Sequence, residues 1–308
     1  MALPVIVDCD PGHDDMVALL LAGRHADLLA VTTVAGNAPL ERSTHNALLA
    51  IQLFNFTAHV HPGADRPLTA KSGFATGLHG ASGLDGPVLP PLHLSPSPRS
   101  AVEAILETTR QVDGCWLIGT GPLTNIALSL RADPTLLDRI AGISIMGGGL
   151  SFGNVTAGAE FNLWVDPEAA AIVIHSGAPL IISPLDVTHQ LMVTPRFADQ
   201  VRALDSSIAS FMADLFRVFA ERYRDVFFDE AIGPLHDPCA VLAVTHPELF
   251  EFREMAITVV TGHGPGRGLM LADRRASKLD EPINAKVAVR IDADAALDLV
   301  LRAIESLP

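Results

Sequence analysis

The stretch Val5-Ile6-Val7-Asp8-Cys9-Asp10-Pro11-Gly12-His13-Asp14-Asp15 decides the reading of this chain. It is an apolar, β-branched run that stops in carboxylates, with Pro11 and Gly12 forcing a turn before the chain resumes. Such a run predicts a strand buried on both faces of a parallel sheet. The carboxyl end of that strand is where an open α/β sheet has its ligand crevice. Asp14 and Asp15 then open an apolar segment, Met16 to Ala22, that reads as a helix. Acids in a first helical turn are ordinary capping and macrodipole chemistry, which would account for Asp14 and Asp15 with no function. It does not account for Asp8 and Asp10 on the strand before them. Four acids converging within about 10 Å would repel by several kcal/mol if desolvated, so a positive partner is expected among them. A hard divalent cation is the simplest one.

Outward from this stretch, β-branched runs alternate with helical patterns. Strands are predicted at Leu3–Asp8, Leu28–Val34, Cys115–Ile118, Gly142–Met146 and Leu180–Ser183. Helices are predicted at Asp14–Arg24, Leu40–Phe54, Ala101–Val112, Leu123–Leu130 and Pro167–Ser176. The rhythm predicts an α/β fold: a mostly parallel central sheet with helices on both faces, open and Rossmann-like, in a single domain over 1–308. Residues 62–99, rich in Gly and Pro, break the rhythm and read as a loop over the crevice. From 195 to 230 the pattern is helical. Strands at Ile257–Val260, Gly268–Leu271 and Lys286–Ile291 and a helix at Ala295–Ile304 close the chain.

The 308 residues are 49% hydrophobic and carry 35 acidic against 21 basic side chains, a net charge of −14. So negative a surface argues against nucleic acid or an anionic membrane as partner and suits cation binding. No apolar run reaches membrane-spanning length, and the N-terminus lacks the basic region of a signal peptide. Cys9, Cys115 and Cys239 form no C-x-x-C pair and fit the core of a reduced, cytoplasmic protein.

Neither an EF-hand loop nor a zinc motif is present: the twelfth position counted from Asp8 is Leu19 rather than Glu, and no H-E-x-x-H occurs. An all-oxygen site suits Ca²⁺ or Mg²⁺, and several carboxylates with backbone carbonyls favour Ca²⁺. Asp237 is a distant fourth candidate, or else the N-cap of the helix that follows it. Gly119-Thr120-Gly121-Pro122-Leu123-Thr124-Asn125 follows a strand; the Thr120 carbonyl could complete a cation shell, or the segment is a tight turn capped by Thr124. Past Met146-Gly147-Gly148-Gly149, the residues Asn154, Glu160, Phe161 and Asn162 could bind a polyol through directional hydrogen bonds, or form a polar surface loop. His79 and His236 could serve as acids near neutral pH.

Taken together, these motifs, with Gly36-Asn37 and His236-Asp237-Pro238-Cys239, resemble the inosine–uridine-preferring nucleoside hydrolase family. The resemblance runs in the same order from residue 3 to about 245. It implies cleavage of ribonucleosides into ribose and base on a bound Ca²⁺, held by Asp10, Asp15, Asp237 and the Thr120 carbonyl. It also implies Asp10 as general base, Asp14, Asn154, Glu160 and Asn162 on the ribose, Asn37 placing the water and Asp8 supporting the metal ligands. His236, with His79, is the candidate donor to the leaving base. Phe161 and Tyr223 are expected on the substrate, and Phe227 with Tyr223 could contact the base. The two tryptophans, Trp116 and Trp164, do not fall where a purine would be stacked, so uridine and cytidine are the expected substrates. A purine or broad specificity is the alternative. Family members are homodimers or homotetramers, which is the expectation carried over. A haloacid-dehalogenase-type phosphohydrolase would also end its first strand in Asp-x-Asp, but it wants Thr or Val where Gly12 stands. A nucleoside- or Ca²⁺-binding protein without catalysis would lack a base or a metal ligand, and every matching position is filled.

Overall fold

The computed structural model describes residues 2–69, 80, 82–226, 229–275 and 282–307. The strands are β1 Pro4–Cys9, β2 Asp27–Thr33, β3 His59–Pro62, β4 Cys115–Gly119, β5 Ile140–Met146, β6 Leu180–Ser183, β7 Met192–Val193, β8 Gly233–Pro234, β9 Phe250–Val259, β10 Met270–Asp273 and β11 Ala285–Ile291. Nine of them form one sheet in the order β10-β9-β11-β6-β5-β4-β1-β2-β3, and β7 pairs with β8. β1 pairs in parallel with both β2 and β4, and β9 runs antiparallel to both of its neighbours.

Alternation along β1 sorts its residues between two cores. Val5, Val7 and Cys9 join the core on one face, built with Leu20, Phe216 and Val241. Ile6 joins the other, with Ile105, Ile126 and Ala170. Helices therefore cover both faces, as the βαβα rhythm predicts. The chain leaves β1 for β2 on one side and later returns to β4 on the other, so the carboxyl ends of β1 and β4 flank the topological switch point. The acid-bearing turn after β1 and the Gly119-Thr120-Gly121 turn after β4 meet there.

The helix His13–His25 is buried from His13 through Ala22 and packs beside the helix Pro238–Thr245. Ser144 Oγ donates to the Ala240 carbonyl at 2.7 Å and ties that second helix to β5. Two helices side by side bring Asp237 to the first turn of the helix that carries Asp14 and Asp15. Among the described residues no helix is long and apolar enough to cross a membrane.

Several element boundaries differ from the expectation. β3 falls where no strand is predicted, and its last residue, Pro62, opens the expected loop: two histidines and a proline in four residues conceal an edge strand, where proline is tolerated. The helical stretch 195–230 divides into helices Pro195–Arg202 and Ser207–Val226 around Asp205, whose φ is 55°. β9 starts at Phe250, well before Ile257, because its first half is largely exposed and carries Glu251, Arg253 and Glu254.

Candidate active site

At the switch point Asp10 is fully buried. Its Oδ2 accepts the Asn37 backbone N–H at 2.6 Å, and its carbonyl accepts Asn37 Nδ2 at 3.2 Å. Its Oδ1 is buried with no hydrogen-bond partner among the described residues. Gly36 and Gly121 cradle this carboxylate: a Cβ on Gly36 would overlap Asp10 Oδ2, and one on Gly121 would come to 2.5 Å of Oδ1. Gly36→Ala should therefore displace Asp10, costing about 1–3 kcal/mol of stability by overpacking. Thermal denaturation and turnover measured on the same preparation check this, and a fully active, fully stable variant would contradict it.

Asp15 does two things. Its Oδ2 accepts the Gly12 N–H at 2.9 Å, the ordinary first-turn role, while its Oδ1 accepts the Thr120 hydroxyl at 2.8 Å. Asp14, Asp15 and Asp237 each place a carboxylate oxygen within 4.8 Å of the other two, and all three are buried. Asp10 stands beside this trio: Asn37 Nδ2 reaches both its carbonyl and, at 3.4 Å, Asp15 Oδ2. The helix-capping alternative for Asp237 fails, since its side chain caps nothing in the helix it precedes. Thr124 does not cap the turn after β4 either; its hydroxyl donates to Asp166 Oδ2 at 2.7 Å. The Thr120 carbonyl accepts Asn162 Nδ2 at 2.7 Å and keeps a second lone pair.

Asp8 lies beneath, on β1. Thr32 Oγ1 and Asn125 Nδ2 donate to its Oδ1 at 2.6 and 2.8 Å, and its Oδ2 is buried without a partner among the described residues. Glu160 caps the short helix Phe161–Val165, accepting from Asn162 N and Gly148 N at 2.9 Å. Asn154 Oδ1 accepts the Phe161 backbone N–H at 2.9 Å, so the Asn154 amide and the Glu160 carboxylate are both tied to the first turn of that helix rather than lying in a loose loop.

Electrostatics follow from burial. Desolvation first, then the charge of Asp15, pushes Asp14 up to about 7 and Asp10 well above the usual carboxylate range. Desolvation first, then Asp14, does the same to Asp237. Burial alone outweighs two donated hydrogen bonds and lifts Asp8 to about 7, and it lifts Glu160 to about 7 despite its backbone donors. Among the described residues no Lys or Arg forms an ion pair with any of these acids. An unpartnered buried oxygen, an all-oxygen donor set and crowded carboxylates together fit a hard divalent cation, which would supply the missing positive charge.

Next to Asp237 in the chain, His236 is buried. Its Nδ1 is 2.7 Å from Thr188 Oγ1 and its Nε2 is 2.9 Å from the Tyr223 hydroxyl. Burial, then the neighbouring His189, holds its pKa well below the usual imidazole value. Tyr223 stacks edge-on against Phe219, whose ring lies over His13. His13 is hydrogen-bonded to the Asp85 carbonyl at 2.9 Å, and Arg222 pairs with the Asp85 carboxylate at 2.8 Å. The loop residues Ser82 to Asp85 are thus anchored to the crevice wall. His79 and Phe227 lie outside the described residues. Thr188, Thr32 and Asn46 were missed by sequence reasoning; Asn46, whose Nδ2 bridges the Pro11 and Ser82 carbonyls at 3.0 Å, carries no local motif that would single it out.

Residues 5–298 match the profile of the family described as inosine-uridine preferring nucleoside hydrolase. The pyrimidine-specific ribonucleoside hydrolase RihA of Escherichia coli O8 (strain IAI1) is 39% identical over 304 residues, 97% of each chain. Among solved structures, a plant nucleoside hydrolase, PpNRh1, superposes with a TM-score of 0.91 at 29% identity, covering 99% of this chain and 100% of that one. A purine-preferring ribonucleoside hydrolase from Gardnerella vaginalis does so with a TM-score of 0.91 at 30% identity over 98% of each.

Proposed function

Because the chain belongs to the inosine–uridine-preferring nucleoside hydrolase family and is a ribonucleoside hydrolase, we propose that it cleaves the N-glycosidic bond of pyrimidine ribonucleosides, uridine and cytidine, with Ca²⁺ as its cofactor. The observation that carries this reading is the meeting of Asp10, Asp14, Asp15 and Asp237, buried and without a basic partner among the described residues, at the switch point of the sheet. Asp10, Asp15, Asp237 and the Thr120 carbonyl would hold the cation. When bound, such an ion lowers the pKa of a water and offers coordination sites to a vicinal diol.

The chain's own residues do the rest. Asp10 presents Oδ1, an acceptor with no other partner among the described residues, as the base for a water proton. Asn37 fixes Asp10 and Asp15 relative to each other and places that water. Asp14, Asn154, Glu160 and Asn162 would hold the ribose hydroxyls, with the Phe161 ring beside them. Cleavage at C1′ passes through an oxocarbenium-like state, and the carboxylates around it stabilise the developing positive charge. Holding sugar and water in one geometry can contribute roughly 7–11 kcal/mol to lowering the barrier. Asp8, anchored by Thr32 and Asn125, stiffens the end of β1 beneath Asp10.

His236 meets the leaving base together with Tyr223. With its pKa held low by burial, its ring is neutral at pH 7 and acts through the hydrogen bond between its Nε2 and the Tyr223 hydroxyl rather than as a reservoir of an imidazolium proton. His79 belongs to the same proposal, as the donor from the loop. A pyrimidine preference is supported by the relative at 39% identity and by the tryptophans. Trp116 lines a separate groove with Pro179 and Ile283, and the Trp164 backbone and Cβ pack against Gly268, whereas Tyr223, Phe219 and His189 are among the described rings linked to His236. A homodimeric or homotetrameric state and a cytoplasmic location complete the reading, the latter in keeping with three buried free thiols.

A nucleoside panel assayed for reducing sugar tests it. Uridine and cytidine should exceed inosine and guanosine by at least ~10-fold in kcat/KM, on the scale of a few kcal/mol that pocket contacts discriminate. Equal or better turnover of the purines would reverse the assignment of base, and release of phosphate from nucleotides with no free ribose would reverse the assignment of reaction.

A further inference from the structure

Thr188 ends the short helix Leu185–Thr188 and is fully buried. A threonine in such a place ordinarily returns its hydroxyl proton to a carbonyl of the preceding turn. Here that contact, to the Leu185 carbonyl, is 3.5 Å long, whereas His236 Nδ1 is only 2.7 Å away. A hydroxyl has one proton, and 3.5 Å is the outer limit of a hydrogen bond. The proton therefore belongs to the short contact: Thr188 donates and Nδ1 accepts. An imidazole that accepts at Nδ1 carries its own proton at Nε2 when neutral. Nε2 lies 2.9 Å from the Tyr223 oxygen, so His236 donates to that oxygen. The proton of the Tyr223 hydroxyl must then point away from the imidazole.

We propose that Thr188 is a positioning residue. Its hydroxyl fixes His236 in the Nε2–H form, and this orients the Tyr223 O–H outward as the donor that meets negative charge on the departing base. The inference rests on the reading of the Tyr223–His236 wall as the base side of the crevice. No proton has to leave the chain for it to operate: Thr188 donates to His236, His236 to Tyr223 and Tyr223 to the ligand, each bond polarising the next. The ligand chemistry implied is a heteroaromatic leaving group bearing an acceptor atom, and such a donor matters only while that group gains charge.

Two substrates separate this role from simple packing: uridine, whose base leaves poorly without a donor, and 4-nitrophenyl β-D-ribofuranoside, whose phenolate leaves unaided. Thr188→Val keeps the shape and removes the hydroxyl. It should lower kcat on uridine by about 10²-fold, the low end for a donor to a leaving group, with KM little changed. Turnover of the nitrophenyl riboside should stay within ~3-fold, because it needs no such donor. Thr188→Ser should restore most of the uridine activity. Independently of activity, ¹⁵N NMR of the histidine-labelled wild-type protein should show His236, assigned by its disappearance in His236→Gln, with Nδ1 unprotonated and Nε2 protonated. In Thr188→Val that preference should be lost. Equal losses on both substrates, an unaltered rate on uridine, or a wild-type His236 protonated at Nδ1 would overturn the proposal. The underlying reading fails separately if Tyr223→Phe and His236→Gln do not favour the nitrophenyl riboside over uridine. If those variants discriminate and Thr188→Val does not, only the role of Thr188 is lost. The tautomer measurement needs no folded variant at position 188, so the claim stays open to refutation even if valine destabilises the helix.

Discussion

Asp10→Ala is expected to reduce turnover by at least about 10³-fold while leaving the fold in place, since it removes both the proposed cation ligand and the proposed base. The fold should survive because Asp10 gives little to stability. Its carboxylate is desolvated, crowded by Asp15 and pushed well above the usual carboxylate range, so the folded state gains from losing it. Its useful tether is the Asn37 backbone N–H at 2.6 Å, which Asp10→Asn would preserve through its amide oxygen. The two variants together separate geometry from charge. Both should unfold at or above the wild-type temperature in cation-free buffer, and both should be inactive. An active Asp10→Ala enzyme would remove the assigned base.

Stripping divalent cations with a strong chelator should abolish activity and lower Tm, more at pH 8 than at pH 5. Asp8 and Asp14 titrate near 7 in the folded chain against 3.8 when exposed. Below about pH 4 both folded and unfolded chains hold these protons, and the acids do not oppose folding. As pH rises toward 7 the unfolded chain releases them freely while the folded one must keep them, so stability falls across that window. A cation that displaces the protons reverses the loss and binds more tightly as pH rises. At a hundredfold excess over its dissociation constant it would add about 2.7 kcal/mol. For a chain this long that corresponds to roughly 4 °C in Tm. Calorimetry with and without added Ca²⁺ at the two pH values measures it. Identical melting of stripped and loaded protein at pH 8 would show that the acidic cluster holds no ion.

The sheet was legible in the chain because its central strands are buried on both faces, which leaves continuous runs such as Val5-Ile6-Val7 and Leu180-Ile181-Ile182-Ser183. Where only one face is buried, as in the first half of β9, charged residues interrupt the run and hide the strand. The short helix Phe161–Val165 lacks a full amphipathic turn, and what announces it is its cap, Glu160. The acids of the site were legible for the opposite reason: carboxylates at the end of a buried strand have no structural excuse. Thr188, Tyr223 and His236 were not legible as a group, because a hydroxyl touching an imidazole across 48 residues leaves no periodicity or spacing behind. That contact exists only once β6 and the helix Pro238–Thr245 have come together.

Asp15 and Asp237 lie far apart in the chain, and the docking of one helix against another joins them. Closing so long a loop carries an entropy penalty that no local interaction in a growing polypeptide can offset, so ion capture must be among the last events of synthesis. A chain lacking the segment that bears Asp237 would not assemble this acidic nest. A cation bound there would register that the two distant segments have docked.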